Sequence, residues 1–170
     1  DEVNAMVAAV QDYASPGGGF DAGRWLYIAS PQNGVGKSHA AAALVREIVR
    51  RRFWPVQFVD ARKLLFDVRS AFNLPESGSI MRNLLDCTFL VLDDIGKERL
   101  TGFALENFTL LLAHRDGEGL RTAFTSNHPL TDIGAALGTH ILSRLRGRCA
   151  SPIILTDETP DWRIFGPGLL

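Results

Sequence analysis

The stretch YIASPQNGVGKSHAAAAL, residues 27–44, decides the fold because it joins a short apolar run to a glycine-rich turn and an alanine-rich helical segment. A phosphate-binding P-loop has the pattern G-x-x-x-x-G-K-[ST]. Gly36, Lys37 and Ser38 match the end of that pattern, whereas Pro31 stands where the first glycine is usual. The first position mainly lets the chain turn out of the strand, which proline also permits, so we interpret Pro31 as a tolerated variant.

The residue types of this loop suit a bound phosphate. Glycines are wanted where the backbone takes a positive φ or approaches a ligand closely, and the N-terminus of the following helix attracts negative charge. We expect Lys37 to reach the β- and γ-phosphates and the Ser38 hydroxyl to coordinate Mg²⁺. The alternative is a glycine turn that only starts a helix, but a strand before the motif and a helix after it favour a nucleotide site. The predicted nucleotide contacts are Asn33, Gly34, Val35, Gly36, Lys37, Ser38 and His39.

Composition limits the classes of protein that this chain can represent. It has 170 residues, 46% of them hydrophobic, which is the size of a single globular domain with a full core. The formal net charge of −1 indicates neither a nucleic-acid nor a membrane partner. Cys87 and Cys149 lie far apart, which favours reduced thiols over a zinc site or a disulfide scaffold. With no apolar run near the roughly 20 residues of a membrane span, we expect a cytoplasmic protein.

Short apolar runs separated by segments with helical periodicity organise the rest of the chain. Each run is nearly continuous and unalternated, as strands buried on both faces are, and the segments between them are long enough for crossover helices. This alternation predicts an α/β fold in which helices cover both faces of a five-stranded parallel sheet. We predict a break at residues 73–79 within one crossover, and strands at residues 24–30, 55–60, 88–94, 121–127 and 151–156.

Two carboxylates follow the third apolar run, in TFLVLDDIG. Open α/β sheets bind their ligands at the carboxyl ends of the strands, which is where Asp93 and Asp94 would lie. We expect Asp93 to hold Mg²⁺ opposite Ser38 and Asp94 to orient or activate the attacking water. A pair of surface carboxylates at a strand end is the alternative, and the preceding P-loop argues against it.

The fourth apolar run ends in the polar residues Thr125, Ser126 and Asn127. Asn127 is predicted to reach between the γ-phosphate and the water. Taken alone, the segment is an ordinary transition from strand to turn. As the third such feature in chain order, it supports the nucleotide site.

Together, GVGKSHAAAAL, LVLDDIG, AFTSNHPL and ILSRLRGR resemble the AAA+ ATPase core of the DnaC/DnaI helicase loaders and the related IstB transposition ATPases. The resemblance covers residues 24–156. It implies a P-loop NTPase of the AAA+ type, a three-layer αβα sandwich that binds ATP or ADP with Mg²⁺. It also implies a Walker A motif at residues 31–38, a Walker B motif at residues 89–94 and a sensor 1 residue at Asn127.

In ILSRLRGR the resemblance implies an arginine finger, for which Arg144 is the best match and Arg146 the second. An arginine that stabilises charge on a transferred phosphoryl group is sometimes supplied by a neighbouring subunit. Arg144, Arg146 and Arg148 alternate along the chain, so one of them could project across an interface of a homo-oligomer. The alternative is that all three are solvated surface charges.

The resemblance also implies partners, namely a replicative DNA helicase and single-stranded DNA. Lys63, Arg62 and Arg69 lie with Phe66 and Phe72 in a segment that aligns with a DNA-facing helix of initiators and loaders. Basic side chains beside aromatics suit contact with a backbone and stacking of bases. An amphipathic helix with solvated charges and core phenylalanines is an equally good interpretation.

Two expectations concern the ends of the chain, and two concern other functions. We expect one AAA+ domain over residues 1–170, with no room for a C-terminal helical lid and with the N-terminal partner-binding region of loaders missing. An IstB-like transposition ATPase is an alternative function. A P-loop kinase for a small acceptor is a weaker one, because no substrate lid with clustered arginines is present in the sequence.

Overall fold

Five parallel strands, among the residues that the structure describes, form the centre of the fold. The structure is a computed structural model that describes residues 2–52, 55–70, 76–97, 102–149, 151–159 and 161. The strands are β1 (Leu26–Ala29), β2 (Val56–Asp60), β3 (Phe89–Ile95), β4 (Arg121–Ser126) and β5 (Ile153–Ile154). The helices are α1 (Glu2–Ala14), α2 (Lys37–Arg52), α3 (Ala61–Ser70), α4 (Glu76–Asp86), α5 (Phe103–Gly117), α6 (Ile133–Leu137) and α7 (Thr139–Arg148).

The strand order is β2-β3-β4-β1-β5, and every pair is parallel. Strand β4 therefore lies between β3 and β1. Because all strands run the same way, the residues that follow β1, β3 and β4 meet at one edge of the sheet. The P-loop, the two aspartates and Asn127 belong to these three segments, so the topology brings them together.

Side chains of each central strand alternate between two cores. Tyr27 and Leu92 face the core formed with α3 to α7, whereas Ile28 and Val91 face the core formed with α1 and α2. All four side chains are fully buried. The sheet is thus the middle of three layers, and the predicted αβα architecture is confirmed.

Arg115 of α5 is buried near the amino ends of the strands, opposite the P-loop, where it contacts α4, the residues before β3, and β4. The guanidinium of Arg115 is fully buried, and it donates to the carbonyls of Leu84, Cys87 and Arg121 at 2.7–2.9 Å. It also donates to the Thr122 hydroxyl at 3.0 Å. Burial lowers the pKa of Arg115, and the ring of carbonyl oxygens compensates for the lost water.

Both cysteines are buried, and neither forms a disulfide. Burial raises the pKa of the Cys87 thiol, and it raises that of Cys149 to about 12. In the part of the chain that the structure describes, no helix is long and apolar enough to cross a membrane.

The five predicted strands are confirmed with shifts at their ends, but one predicted break is wrong for most of its length. Residues 76–79 of the break predicted at residues 73–79 belong to α4, which begins at Glu76; residues 73–75 lie outside the described residues. The three arginines that alternate in sequence lie on helix α7, so Arg144 and Arg148 share one face and Arg146 lies on another.

Candidate functional site

The loop after β1 is held by Ser30 on one side and Lys37 on the other. The Ser30 backbone N–H donates to the Ser126 carbonyl at 3.2 Å, and the Ser30 hydroxyl accepts from the backbone N–H of Gln32 at 3.1 Å. Lys37 Nζ donates to the carbonyls of Ser30 at 3.1 Å and Gln32 at 2.8 Å. Pro31 lies between these anchors, and the loop forms without needing the N–H that proline lacks.

Two glycines give the loop its curvature. Gly34 has a φ of 74° and Gly36 a φ of 94°, in the region that L side chains rarely adopt. Helix α2 begins directly afterwards at Lys37, and its first turn closes with the Ala40 N–H donating to the Gly36 carbonyl at 2.8 Å. The conformation is that of an anion-binding loop at a helix N-terminus.

The neighbouring strand β3 carries a bulge at the two aspartates. Leu92 pairs with Phe124 and Ile95 with Ser126, so Asp93 and Asp94 together oppose the single residue Thr125. The Thr125 hydroxyl donates to Asp93 Oδ1 at 2.5 Å and accepts from the Asp94 backbone N–H at 2.8 Å. One buried hydroxyl therefore positions both acidic residues.

Asp94 is the one described residue other than glycine with a positive φ, at 65°. Such a conformation costs an ordinary L residue roughly 1–2 kcal/mol, and it persists only where surrounding contacts impose it. Strain of this kind is concentrated at functional sites. Sequence patterns give no sign of it, because the strain follows from the register between β3 and β4.

The Asp94 carboxylate faces two cations. Its Oδ2 lies 2.7 Å from Lys97 Nζ and 3.4 Å from Arg62 Nη2. Arg62 belongs to the first turn of α3, where Asp60 Oδ1 accepts from the backbone N–H groups of Arg62 and Lys63 and caps the helix. The Arg62 guanidinium, which was grouped with a DNA-facing surface, lies beside Asp94 in the pocket, and its contact with DNA stays a prediction.

Asn127 contacts the P-loop directly. Its Nδ2 donates to Asn33 Oδ1 at 3.2 Å, across the boundary between the ends of β4 and β1. The preceding residue, Ser126, is buried and donates to the Ile95 carbonyl at 2.8 Å. Asn127 therefore lies beside the loop and lines the same cavity as the two aspartates; its contact with the γ-phosphate and the water stays a prediction.

These residues line one cavity of about 910 Å³. Its lining includes the seven loop residues 33–39, both aspartates, Asn127, and the apolar side chains of Val3, Met6 and Val7 from α1. The cavity is large enough for a nucleotide, with an apolar wall beside a polar end. The place of helix α1 in this wall was not predicted from the sequence.

The residues of this cavity fit ATP and Mg²⁺. Positive-φ glycines and the start of α2 suit phosphate oxygens, and the Ser38 hydroxyl and the Asp93 carboxylate are hard oxygen donors that suit Mg²⁺. Within the described residues, no group of three or more His, Cys, Asp or Glu could hold a metal ion. Mg²⁺ held by Ser38 and Asp93 would take its remaining ligands from phosphate oxygens and water.

Residues from both ends of the described chain meet beside the loop. Glu2 Oε2 accepts from the backbone N–H of Thr156 at 3.0 Å and from the hydroxyl of Thr159. These contacts, that of Thr159 foremost, hold the pKa of the Glu2 carboxyl below its usual value. The Asp161 carboxylate lies against Gly34, where an added Cβ would stand 1.7 Å from Asp161 Oδ1. A side chain at position 34 would therefore displace the Asp161 carboxylate, and the φ of 74° independently favours glycine there.

The two arginines predicted as finger candidates lie outside this cavity. Asp116, in the last turn of α5, accepts from Arg144 Nη1 at 3.1 Å and from Arg148 Nε at 2.6 Å. The Arg148 carbonyl accepts from the N–H of Trp25, which precedes β1, so this cluster lies at the edge of the sheet opposite the P-loop. Arg146 is exposed.

Comparison with known proteins identifies what this chain is similar to. A sequence profile of IstB-like ATP binding proteins matches residues 26–151. A DnaC helicase loader structure has 22% identity and a TM-score of 0.79, and the match covers 89% of each chain. A DnaI structure has 23% identity and a TM-score of 0.75, over 94% of this chain and 84% of the other. The fold is therefore the parallel α/β fold of AAA+ P-loop domains.

More distant structures share the fold as well. The replication initiator DnaA bound to AMPPCP and single-stranded DNA has 14% identity and a TM-score of 0.69, over 89% of this chain and 44% of that one. No curated protein matches the sequence of this chain at a significant level.

The strain at Asp94 predicts an unusual order of stability between two substitutions. Glycine adopts a positive φ without the steric cost that alanine has, so Asp94→Gly should be more stable than Asp94→Ala by about 1 kcal/mol. Urea unfolding of both variants measures the difference. The matched pair Glu106→Gly and Glu106→Ala, in helix α5, should show the reverse order. Equal stability of the two Asp94 variants would contradict the strained conformation.

Proposed function

The chain belongs to the family of IstB-like ATP binding proteins, and we propose that it is an AAA+ ATPase that helps to load a replicative DNA helicase onto single-stranded DNA. The observation that carries the ATPase proposal is the single cavity that Lys37 shares with Asp93, Asp94 and Asn127. An ATP-binding loop alone would suffice for binding. Hydrolysis also needs carboxylates near the phosphates, and Thr125 positions two of them, Asp93 and Asp94, beside that loop.

Each of these residues has a distinct role in the proposed reaction. The loop N–H groups and Lys37 bind the phosphates, Ser38 and Asp93 hold the metal, and Asp94 orients the water that attacks the terminal phosphorus. Asn127, fixed to Asn33, helps to position that water. Bound Mg²⁺-ATP supplies the phosphoanhydride bond and a cation that offsets charge on the phosphates.

Single-stranded DNA is proposed to contact helix α3. Lys63 and Phe66 are exposed on this helix, and the Phe66 side chain is 69% exposed, which is unusual for a large apolar residue. A basic residue beside an exposed ring suits the contacts that single strands make. The side chain of Arg69 and all of Phe72 lie outside the described residues.

Arg144 is proposed as an arginine finger that acts on a neighbouring copy of the chain. It lies at the edge of the sheet away from its own P-loop, so it would act on the site of an adjacent subunit. Asp116 binds one of its Nη atoms, while its buried Nε has no hydrogen-bond partner in the described part of the chain. Arg146, exposed on another face of α7, is the second candidate.

A transposition ATPase is the second candidate function, because the matching profile is that of IstB-like proteins. Both functions need ATP binding, hydrolysis and DNA, so the same site serves either. They differ in the partner, which is a helicase in one case and a transposase in the other. Binding of each purified partner to the full-length protein separates them.

Binding and hydrolysis should depend on different residues. Lys37→Ala is expected to abolish Mg²⁺-dependent ATP and ADP binding, because it removes the cation that faces the phosphates. Asp94→Asn should keep ATP affinity near normal and lower turnover by a factor on the order of 10² or more. Isothermal titration and a phosphate-release assay measure the two effects.

Arg46→Gln is the control for these variants, since Arg46 is exposed on α2 and does not line the cavity. Melting temperatures check that Lys37→Ala, which replaces a buried residue, still folds. Wild-type binding no tighter than that of Lys37→Ala would refute the nucleotide site. Parallel loss of affinity and turnover in Asp94→Asn would mean that this carboxylate is structural.

A finger that acts between subunits makes turnover depend on association. An arginine finger contributes about 10³ to 10⁵ in rate, so specific activity should rise with protein concentration, and Arg144→Ala should abolish that rise while ATP binding is kept. Mixing Arg144→Ala with Lys37→Ala should restore part of the activity, since each variant supplies what the other lacks. Absence of recovery, where wild-type subunits associate, would count against Arg144 and direct attention to Arg146.

A further inference from the structure

Lys97 and Arg62 are two cations in the cavity that the proposed hydrolysis does not use. Both line the same cavity as the P-loop, and both point at Oδ2 of Asp94, at 2.7 Å and 3.4 Å. One carboxylate therefore faces two positive charges. Arg62 also lies 3.9 Å from Asp60, which is a looser contact. We call Lys97 and Arg62 the cationic pair.

We propose that the cationic pair recognises the terminal phosphate of ATP and so makes this site prefer ATP to ADP. The inference rests on the proposed function, because it requires a nucleotide in this cavity. Without nucleotide the pair binds Asp94. When ATP is bound, the pair contacts the phosphate that ADP lacks.

Charge in the cavity favours this assignment. Asp93 and Asp94 lie in the same cavity as the phosphate loop, and two carboxylates near a triphosphate would oppose its binding. Lys37 supplies positive charge from the loop side, where it contacts the carbonyls of Ser30 and Gln32. The cationic pair supplies positive charge from the side of the aspartates. The terminal phosphate, which is furthest from the base, would lie on that side.

The ion pairs that Lys97 and Arg62 form with Asp94 are weak enough to be replaced by contacts with a terminal phosphate. The side chains of Lys97 and Arg62 are 34% and 48% exposed, and ion pairs in contact with water contribute little to stability. A terminal phosphate carries more charge than one carboxylate and offers three acceptor oxygens. Exchange also releases Oδ2 of Asp94 to contact the attacking water, which couples recognition of ATP to readiness for hydrolysis.

Binding measurements without turnover test this inference. The full chain is titrated with Mg²⁺-ADP and with a non-hydrolysable Mg²⁺-ATP analogue by calorimetry, for wild type, Lys97→Met, Arg62→Gln and Lys97→Arg. Lys97→Met and Arg62→Gln should each weaken binding of the analogue by roughly 10-fold and that of ADP by less than about 2-fold. Lys97→Arg keeps the charge and should restore most of the analogue affinity.

Arg82→Gln is the matched control, because Arg82 is an exposed residue of α4 that does not line the cavity. It removes the same charge and should change neither affinity. Equal losses for ADP and the analogue, or no loss for either, in Lys97→Met and Arg62→Gln would overturn the inference while leaving the ATPase proposal intact. If the wild-type chain binds neither nucleotide, the proposed function fails and this inference fails with it.

Discussion

The hydroxyl of Thr125 is the interaction on which the site depends. By donating to Asp93 and accepting from the backbone of Asp94, it fixes the bulge in which two residues of β3 oppose one residue of β4. The bulge forces Asp94 to a positive φ and turns its carboxylate toward Lys97 and Arg62. Without this constraint, successive side chains of the strand would point to opposite faces, and the two carboxylates would not share a cavity.

The parallel sheet that brings the residues of the proposed phosphate site together also separates them from Arg144 and Arg148. The P-loop, the aspartates and Asn127 follow β1, β3 and β4, whereas Asp116, Arg144 and Arg148 lie near the amino ends of these strands. A single chain thus carries a nucleotide cavity at one edge and basic side chains at the other. Under the proposed function, adjacent copies would complete each other's sites, and subunit association is therefore central to that proposal.

The sequence predicted the features that depend on local pattern. Continuous apolar runs located all five strands, and Gly36, Lys37 and Ser38 located the loop, because buried strands and positive-φ turns demand particular residue types. Features set by contacts between distant segments were not predicted. The role of Thr125 depends on the register of β4 against β3, and the direction of Arg62 depends on how α3 packs. The helix that contains Arg144, Arg146 and Arg148 was not predicted, so the sequence did not show that Arg146 lies on a different face from the other two.

Comparison of Thr125→Val with Thr125→Ser tests the central claim most directly. Valine has nearly the same shape but lacks the hydroxyl, whereas serine keeps it. If the hydroxyl positions both aspartates, Thr125→Val should bind Mg²⁺-ADP nearly as well as wild type but hydrolyse ATP on the order of 10² times more slowly. Thr125→Ser should recover most of the rate. Wild-type turnover in Thr125→Val would contradict the account, because the aspartates would then hold their positions without the bond from Thr125.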